Sequence, residues 1–193
     1  MARGKLILVI GPMGSGKSTL LRHAVEQHPE LGVLNSYTTR ARRPDHVEND
    51  HYRFVTKEEF QGMIDRGELL EWAEFSGNFY GTRTQDLEDQ LALGKVIIKE
   101  MEVQGVRQVK RLLASEDLIT IFIDAGSWEE LVGRAMKRDP LSEDELLRRK
   151  QRFDDEVTFI PEADFVIQNG AGKLEEADRA FDQVITDAIA AAA

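Results

Sequence analysis

The chain has 193 residues, 41% of them apolar, and a formal net charge of −10, which suits one globular domain and excludes a disordered chain. That acidity argues against a general nucleic-acid or anionic-membrane binder, whose surface is net basic. It leaves room for a small anionic ligand held by locally gathered arginines. Cysteine is absent, so disulfides, thiolate metal sites and thiol catalysis are excluded. The apolar run behind Met1–Lys5 is too short for a signal segment or a membrane span, so a cytoplasmic protein is expected.

The first predicted element is a buried parallel strand, Leu6-Ile7-Leu8-Val9-Ile10, apolar without interruption. It runs into Gly11-Pro12-Met13-Gly14-Ser15-Gly16-Lys17-Ser18-Thr19, which fits the phosphate-binding G-x-x-x-x-G-K-[ST] loop. Glycines let successive backbone N–H groups cradle an anion. Lys17 is expected to reach the β- and γ-phosphates of a nucleotide, and Ser18 to offer its hydroxyl to Mg²⁺. Leu20, Leu21, Ala24 and Val25 then recur at helical spacing until Pro29.

From about residue 36 to 85 the α/β rhythm breaks, and the segment reads as an inserted lobe for a second substrate. It opens with Ser36-Tyr37-Thr38-Thr39-Arg40-Ala41-Arg42-Arg43, then Tyr52, and later Gly77-Asn78-Phe79-Tyr80-Gly81-Thr82. Arginine forks and tyrosine hydroxyls can cage a phosphate. By themselves these residues fit equally a solvated loop whose arginines offset nearby acids. Glu71 stands in an apolar setting, and a carboxylate there suits three roles: accepting from a ligand's N–H groups, holding Mg²⁺ or pairing with an arginine.

Three more apolar stretches read as strands: Val96–Ile98, Leu118–Ile123 and Phe165–Ile167. Helical patterns between them predict an α/β fold with a parallel sheet flanked by helices. Glu100 and Glu102 lie at the end of the first of these strands, the end at which open α/β sheets bind ligands. Thr56, Ser127 and Ser142, each followed three residues later by Glu, predict three capping boxes. The stretch from about 127 to 156 is helical and rich in arginine, and reads as a lid. Asn169-Gly170 and Gly172 make a turn before a last amphipathic helix, whose tail at Ala190–Ala193 is expected to fray.

A phosphate loop alone is compatible with a switch, a motor or a kinase. The Asn-Lys-x-Asp run of a small GTPase is missing, and a short chain with two charged insertions suits a small-molecule kinase.

Taken together, the loop, Thr38-Thr39-Arg40 with Arg43, Tyr52-Arg53-Phe54-Val55, Glu71-Trp72-Ala73-Glu74, Gly77–Thr82, Val103-Gln104-Gly105, Arg134, Arg138, Arg149, Glu156, and Asp164 with Asn169 resemble the guanylate kinase family over nearly the whole length. The resemblance implies a P-loop NTPase core at about 1–35, 86–126 and 157–193, a nucleoside-monophosphate lobe at about 36–85, and a lid at about 127–156. It implies transfer of the γ-phosphoryl group of Mg·ATP to GMP or dGMP. ATP and GMP would be the partners, with neither nucleic acid nor membrane. Lys17, Arg138 and Arg149 would be catalytic. The loop from Gly11 to Thr19, with Arg134 and Asn169, would hold ATP. Arg40, Arg43, Tyr52 and Tyr80 would grip the GMP phosphate, and Ser36, Glu71, Thr82 and Glu102 would read guanine. Ser18, with Glu100 through water, would attend the metal. The alternatives are a related kinase with another phosphorylated acceptor and an inactive interaction module.

The chain also departs from the family pattern. Glutamates stand at 100 and 102 where aspartates are usual, and His51 stands where an Asp usually precedes the site tyrosine. Lys99 interrupts an apolar strand and is expected to pair with an acid or to mark a lobe edge.

Overall fold

The computed structural model describes residues 3–42, 52–75, 77–138 and 142–192, with the side chains of Phe75, Arg134, Ala135, Lys137 and Arg138 outside the description. The first strand, β1 (Lys5–Ile10), is buried on both faces and leads through the glycine loop into helix α1 (Lys17–Gln27). Short strands β2 (Gly32–Val33), β3 (Ser36–Thr38) and β4 (Tyr52–Phe54) follow, then helix α2 (Lys57–Asp65) and the hairpin β5 (Leu69–Phe75) and β6 (Asn78–Arg83). Helix α3 (Thr84–Ala92) returns the chain to β7 (Val96–Glu100), α4 (Val103–Val109) and β8 (Leu118–Asp124). Helices α5 (Trp128–Arg138) and α6 (Glu143–Val157) precede β9 (Phe165–Gln168) and the long α7 (Leu174–Ala192).

Two sheets result. The larger is parallel throughout, in the order β2-β7-β1-β8-β9. Along β1, Ile7 and Val9 face one core cluster with Phe181 and Ile185 of α7, while Leu6, Leu8 and Ile10 face another with Phe122, Val106 and Phe159. This two-sided burial is why the strand reads as an unbroken apolar run. From β1 the chain goes to one side of the sheet, then crosses back over β1 to reach β8. Such a reversal opens a crevice at the carboxyl ends of the strands.

The smaller sheet, in the order β4-β3-β6-β5, fills the segment where the sequence shows no long apolar strand. Its back face packs Tyr37 and Phe79 against Phe60 and Met63 of α2. The Tyr37 hydroxyl donates to Asp86 of α3 at 3.1 Å and accepts from Arg53 Nη1 at 2.9 Å, tying the sheet's back to the helix that re-enters the core.

The capping boxes at Thr56 and Ser127 form in both directions. At Ser142 only half forms: the Glu145 amide donates to Ser142 Oγ at 3.3 Å, but the Glu145 carboxylate is turned toward Arg149. The expected fraying at 190–192 is corrected. Helix α7 runs to Ala192, which is 8% exposed and joins the core cluster; alanine is the strongest helix former, and burial adds to that preference.

Candidate functional site

The glycine loop emerges from the end of β1 with its backbone turned inward. Gly11 and Gly16 have φ values of 143° and 95°, conformations closed to most L-residues. A Cβ on Gly11 would meet the Ile123 carbonyl oxygen at 2.5 Å, and one on Gly16 would meet Asn169 Nδ2 at 2.3 Å. Asn169, at the end of β9, in turn donates to the Ser15 carbonyl at 2.7 Å. It therefore supports the loop from beneath. Pro12 and Ser15 are buried, Gly14 and Ser18 exposed, Thr19 half-buried, and Met13 stands 51% exposed at the rim. Ser15 Oγ is buried without a hydrogen-bond partner among the described residues.

Lys17 folds back over the loop. Its Nζ donates to the carbonyls of Gly11 at 2.5 Å and Pro12 at 3.0 Å, and lies 3.5 Å from Glu100 Oε1. Ser18 Oγ donates to Glu100 Oε2 at 3.4 Å. The ammonium, the hydroxyl and the carboxylate expected at the phosphates are thus gathered at one strand end.

The second group lies on the front face of the smaller sheet. Side chains directly opposite across a strand pair share a face. Ser36 pairs with Tyr52, Thr38 with Tyr80, Tyr80 with Ala73, and Thr82 with Glu71. Ser36, Tyr52, Glu71, Tyr80 and Thr82 therefore line one surface. The Tyr52 and Tyr80 rings meet edge to face at 6.1 Å, and the Arg40 guanidinium lies 5.2 Å from the centre of the Tyr52 ring. Arg40 Nε is buried without a hydrogen-bond partner among the described residues. Arg43 lies outside the described residues.

Thr82 Oγ1 donates to Glu71 Oε1 at 2.5 Å, and Glu71 Oε2 sits against Gly105 of α4, where a Cβ would come within 3.0 Å. Burial pushes the Glu71 carboxyl above its ordinary range; the Thr82 bond and the charge of Lys99 oppose that shift, and Glu102 adds to it. Glu102 itself is exposed at the start of α4.

Two titratable groups that the motif reading left without a role belong to this region. Lys99 is 6% exposed on an inner strand, and its Nζ donates to Ser36 Oγ at 2.6 Å and to the Leu34 carbonyl at 3.3 Å. It bridges the large sheet to β3 of the small one, with Glu71 as its charged neighbour. Glu156, on α6, is pushed up to about 7 by burial and by Glu102 and Glu100, against the pull of Lys17 and Arg152. The sequence signal for Lys99 was a charge inside an apolar strand; Glu156 is one acid among many in a charged helix.

In the segment expected to form a lid, α5 and α6 pack through Trp128 and Phe153, ring centres 5.7 Å apart. Arg134 and Arg138 stand one turn apart on α5, and their side chains lie outside the description. Arg149 donates from Nε and Nη2 to Glu145 Oε1 at 3.0 and 2.7 Å, an i,i+4 ion pair along its own helix.

Comparison with known proteins points to one family. A family model described as guanylate kinase matches residues 3–188. A guanylate kinase of Thermosynechococcus vestitus is 45% identical over 166 residues, 86% of each chain. One from Rubrobacter xylanophilus is 42% identical over 185 residues, 96% of this chain and 93% of its own. The crystal structure of guanylate kinase from Anaplasma phagocytophilum matches with a TM-score of 0.72 at 29% identity, covering 97% of this chain and 87% of that one. With a glycine loop at the end of β1 and a polar, arginine-bearing face on a second sheet, matched over almost its whole length, the chain belongs to the guanylate kinase family.

Proposed function

We propose that the chain transfers the γ-phosphoryl group of Mg·ATP to a phosphate oxygen of GMP, giving ADP and GDP. The observation that carries this reading is the pairing of two anion-oriented surfaces. One is the glycine loop with Lys17 and Ser18. The other is the front face of the small sheet, where a buried Arg40 Nε has no partner among the described residues and lies beside Tyr52 and Tyr80.

In this reading the GMP phosphate sits among Arg40, Arg43, Tyr52 and Tyr80, and its base faces Ser36, Glu71, Thr82 and Glu102. A phosphate monoester has a second pKa of about 6, so the acceptor is largely dianionic at neutral pH and needs no general base. Its oxygen forms the new bond to the γ-phosphorus while the bond to the β-phosphate oxygen breaks, and that electron pair leaves with ADP. Catalysis is then mostly positioning and charge stabilisation. Lys17 leaves the Gly11 and Pro12 carbonyls for the β- and γ-phosphates. Arg138 and Arg149 come onto the transferring group from the lid, with Arg134 beside the adenine. Asn169 holds the loop's shape under ATP.

Ser18 Oγ and the Glu100 carboxylate are hard oxygen donors, suited to a cation that keeps much of its water. Bound with ATP, Mg²⁺ would neutralise charge on the β- and γ-phosphates. The small sheet with α2 would act as an acceptor lobe, and α5 with α6 as a lid that excludes water from the transfer. Among the described residues no helix is long and apolar enough to cross a membrane; the cysteine-free composition supports a reducing, cytoplasmic setting.

The test is a panel of GMP, dGMP, AMP, UMP and a sugar phosphate with ATP, with and without Mg²⁺. Turnover highest with GMP or dGMP and lost without Mg²⁺ is expected. Faster turnover of another acceptor would overturn the guanine assignment.

A further inference from the structure

A lysine buried on an inner strand of a parallel sheet is expensive, because an ammonium out of water loses its hydration. An apolar residue at position 99 would extend the run Val96-Ile97-Ile98 without that cost. What the ammonium does hold is specific. Lys99 Nζ donates to Ser36 Oγ at 2.6 Å, and a second N–H to the Leu34 carbonyl at 3.3 Å keeps it in place.

An ammonium has donors and no acceptor. Ser36 Oγ must therefore accept from Lys99, and its own proton is left to point at a different acceptor. Glu71, acting on Lys99 through its charge, is an acceptor when ionised. One edge of the pocket thus presents a donor at Ser36 and an acceptor at Glu71. Guanine carries the matching order, with the O6 acceptor beside N–H donors, whereas adenine has an amino donor where guanine has O6.

We propose that Lys99 is a positioning residue for base specificity: it fixes the Ser36 hydroxyl as a donor toward O6, so that 6-oxopurine monophosphates are accepted and 6-aminopurine monophosphates refused. This rests on the reading of the small-sheet face as the acceptor-nucleotide pocket. Lys99 touches Ser36, not the reacting phosphates, so its effect falls on acceptor affinity rather than on the transfer step.

The experiment compares wild type, Lys99→Met, Lys99→Gln, Ser36→Ala and the Lys99→Met/Ser36→Ala double variant with GMP, IMP and AMP as acceptors. IMP keeps O6 and lacks the 2-amino group. Lys99→Met is expected to lower kcat/KM for GMP and for IMP about equally, by about tenfold, through KM, with kcat and KM for ATP unchanged and the AMP rate not lowered. Lys99→Gln, which retains an N–H donor, is expected to recover part of the GMP-to-AMP ratio. The double variant is expected to be no worse than Ser36→Ala, the non-additivity of two residues acting as one.

Three results would overturn the proposal. Unchanged KM for GMP and IMP in Lys99→Met is one. A second is a loss for GMP with none for IMP, which would route Lys99 through Glu71 and the 2-amino group. A third is an equal fall in kcat for all three acceptors, the mark of a merely structural role. Should Lys99→Met not fold, Ser36→Ala and Lys99→Gln carry the same comparison: GMP and IMP must again fall together. If wild type itself shows no preference for GMP over AMP, the pocket reading fails and the proposal falls with it, an outcome the wild-type rates alone reveal.

Discussion

Thr82 Oγ1 donates to Glu71 Oε1 at 2.5 Å across the β5–β6 pair, and this bond holds down a carboxyl that burial pushes up. In the proposed pocket Glu71 meets guanine as an ionised acceptor, which predicts that GMP affinity weakens as the pH falls toward the raised Glu71 value. Thr82→Val removes the bond and should move that weakening to higher pH, while Thr82→Ser preserves it. Calorimetric titration of GMP across the pH range checks both. Glu71→Gln should cost roughly tenfold to a hundredfold in kcat/KM for GMP, the equivalent of leaving one buried polar group unsatisfied at about 1–3 kcal/mol.

Lys17 is held by the Gly11 and Pro12 carbonyls. Lys17→Met should abolish most turnover, by about two orders of magnitude or more, as expected for a group that stabilises transition-state charge. Its effect on unfolding should stay within about 3 kcal/mol, the upper end of the net worth of a hydrogen bond involving a charged group. Single-turnover kinetics and thermal melts separate the two effects.

Arg149→Ala should lower kcat by about a thousandfold, within the range of an arginine at a transferring phosphoryl group, with KM for GMP little changed. Steady-state kinetics in both substrates decide the point. A change in KM alone would remove Arg149 from the transfer step.

Glu156 supplies a pH test of stability in the ligand-free protein. Its carboxyl is raised from 4.5 to about 7 by burial first, so the fold disfavours its charged form. Below pH 4.5 the group is protonated in both folded and unfolded chains. Between pH 4.5 and about 7 the unfolded chain releases this proton while the folded one keeps it, so stability falls through that window and the loss is complete above about pH 7, on the order of 3 kcal/mol. Glu156→Gln should abolish this slope. Urea unfolding of both proteins at pH 5 and pH 8 should show the difference between them widening at pH 8.

How far the sequence reveals this molecule depends on what each residue does. The run Leu6–Ile10 and the glycine loop are legible because burial on both faces demands apolar residues and a phosphate cradle demands glycine at fixed offsets. The strands β3 to β6 are not legible as a sheet. Ser36, Tyr52, Glu71 and Thr82 stand on the face opposite the core residues Tyr37 and Phe79, and with β3 and β4 only three residues long there is no apolar run or sustained alternation to read. The half-formed box at Ser142 has its origin in competition: its glutamate has a second partner that sequence spacing alone does not weigh. Lys99 is visible as an anomaly, but its contact with Ser36 spans 63 positions and emerges only when the two sheets are assembled.

Glu145 serves two turns of α6 at once. Its amide holds the Ser142 hydroxyl at the first turn, while its carboxylate takes Arg149 on one oxygen and has Arg148 3.7 Å from the other. In the proposed transfer role, drawing Arg149 onto a phosphoryl group would cost the helix one ion pair of an exposed kind, which contributes little to stability, and would leave the Arg148 contact and the Ser142 cap in place. An arginine held this way is kept extended along its helix and is cheap to release.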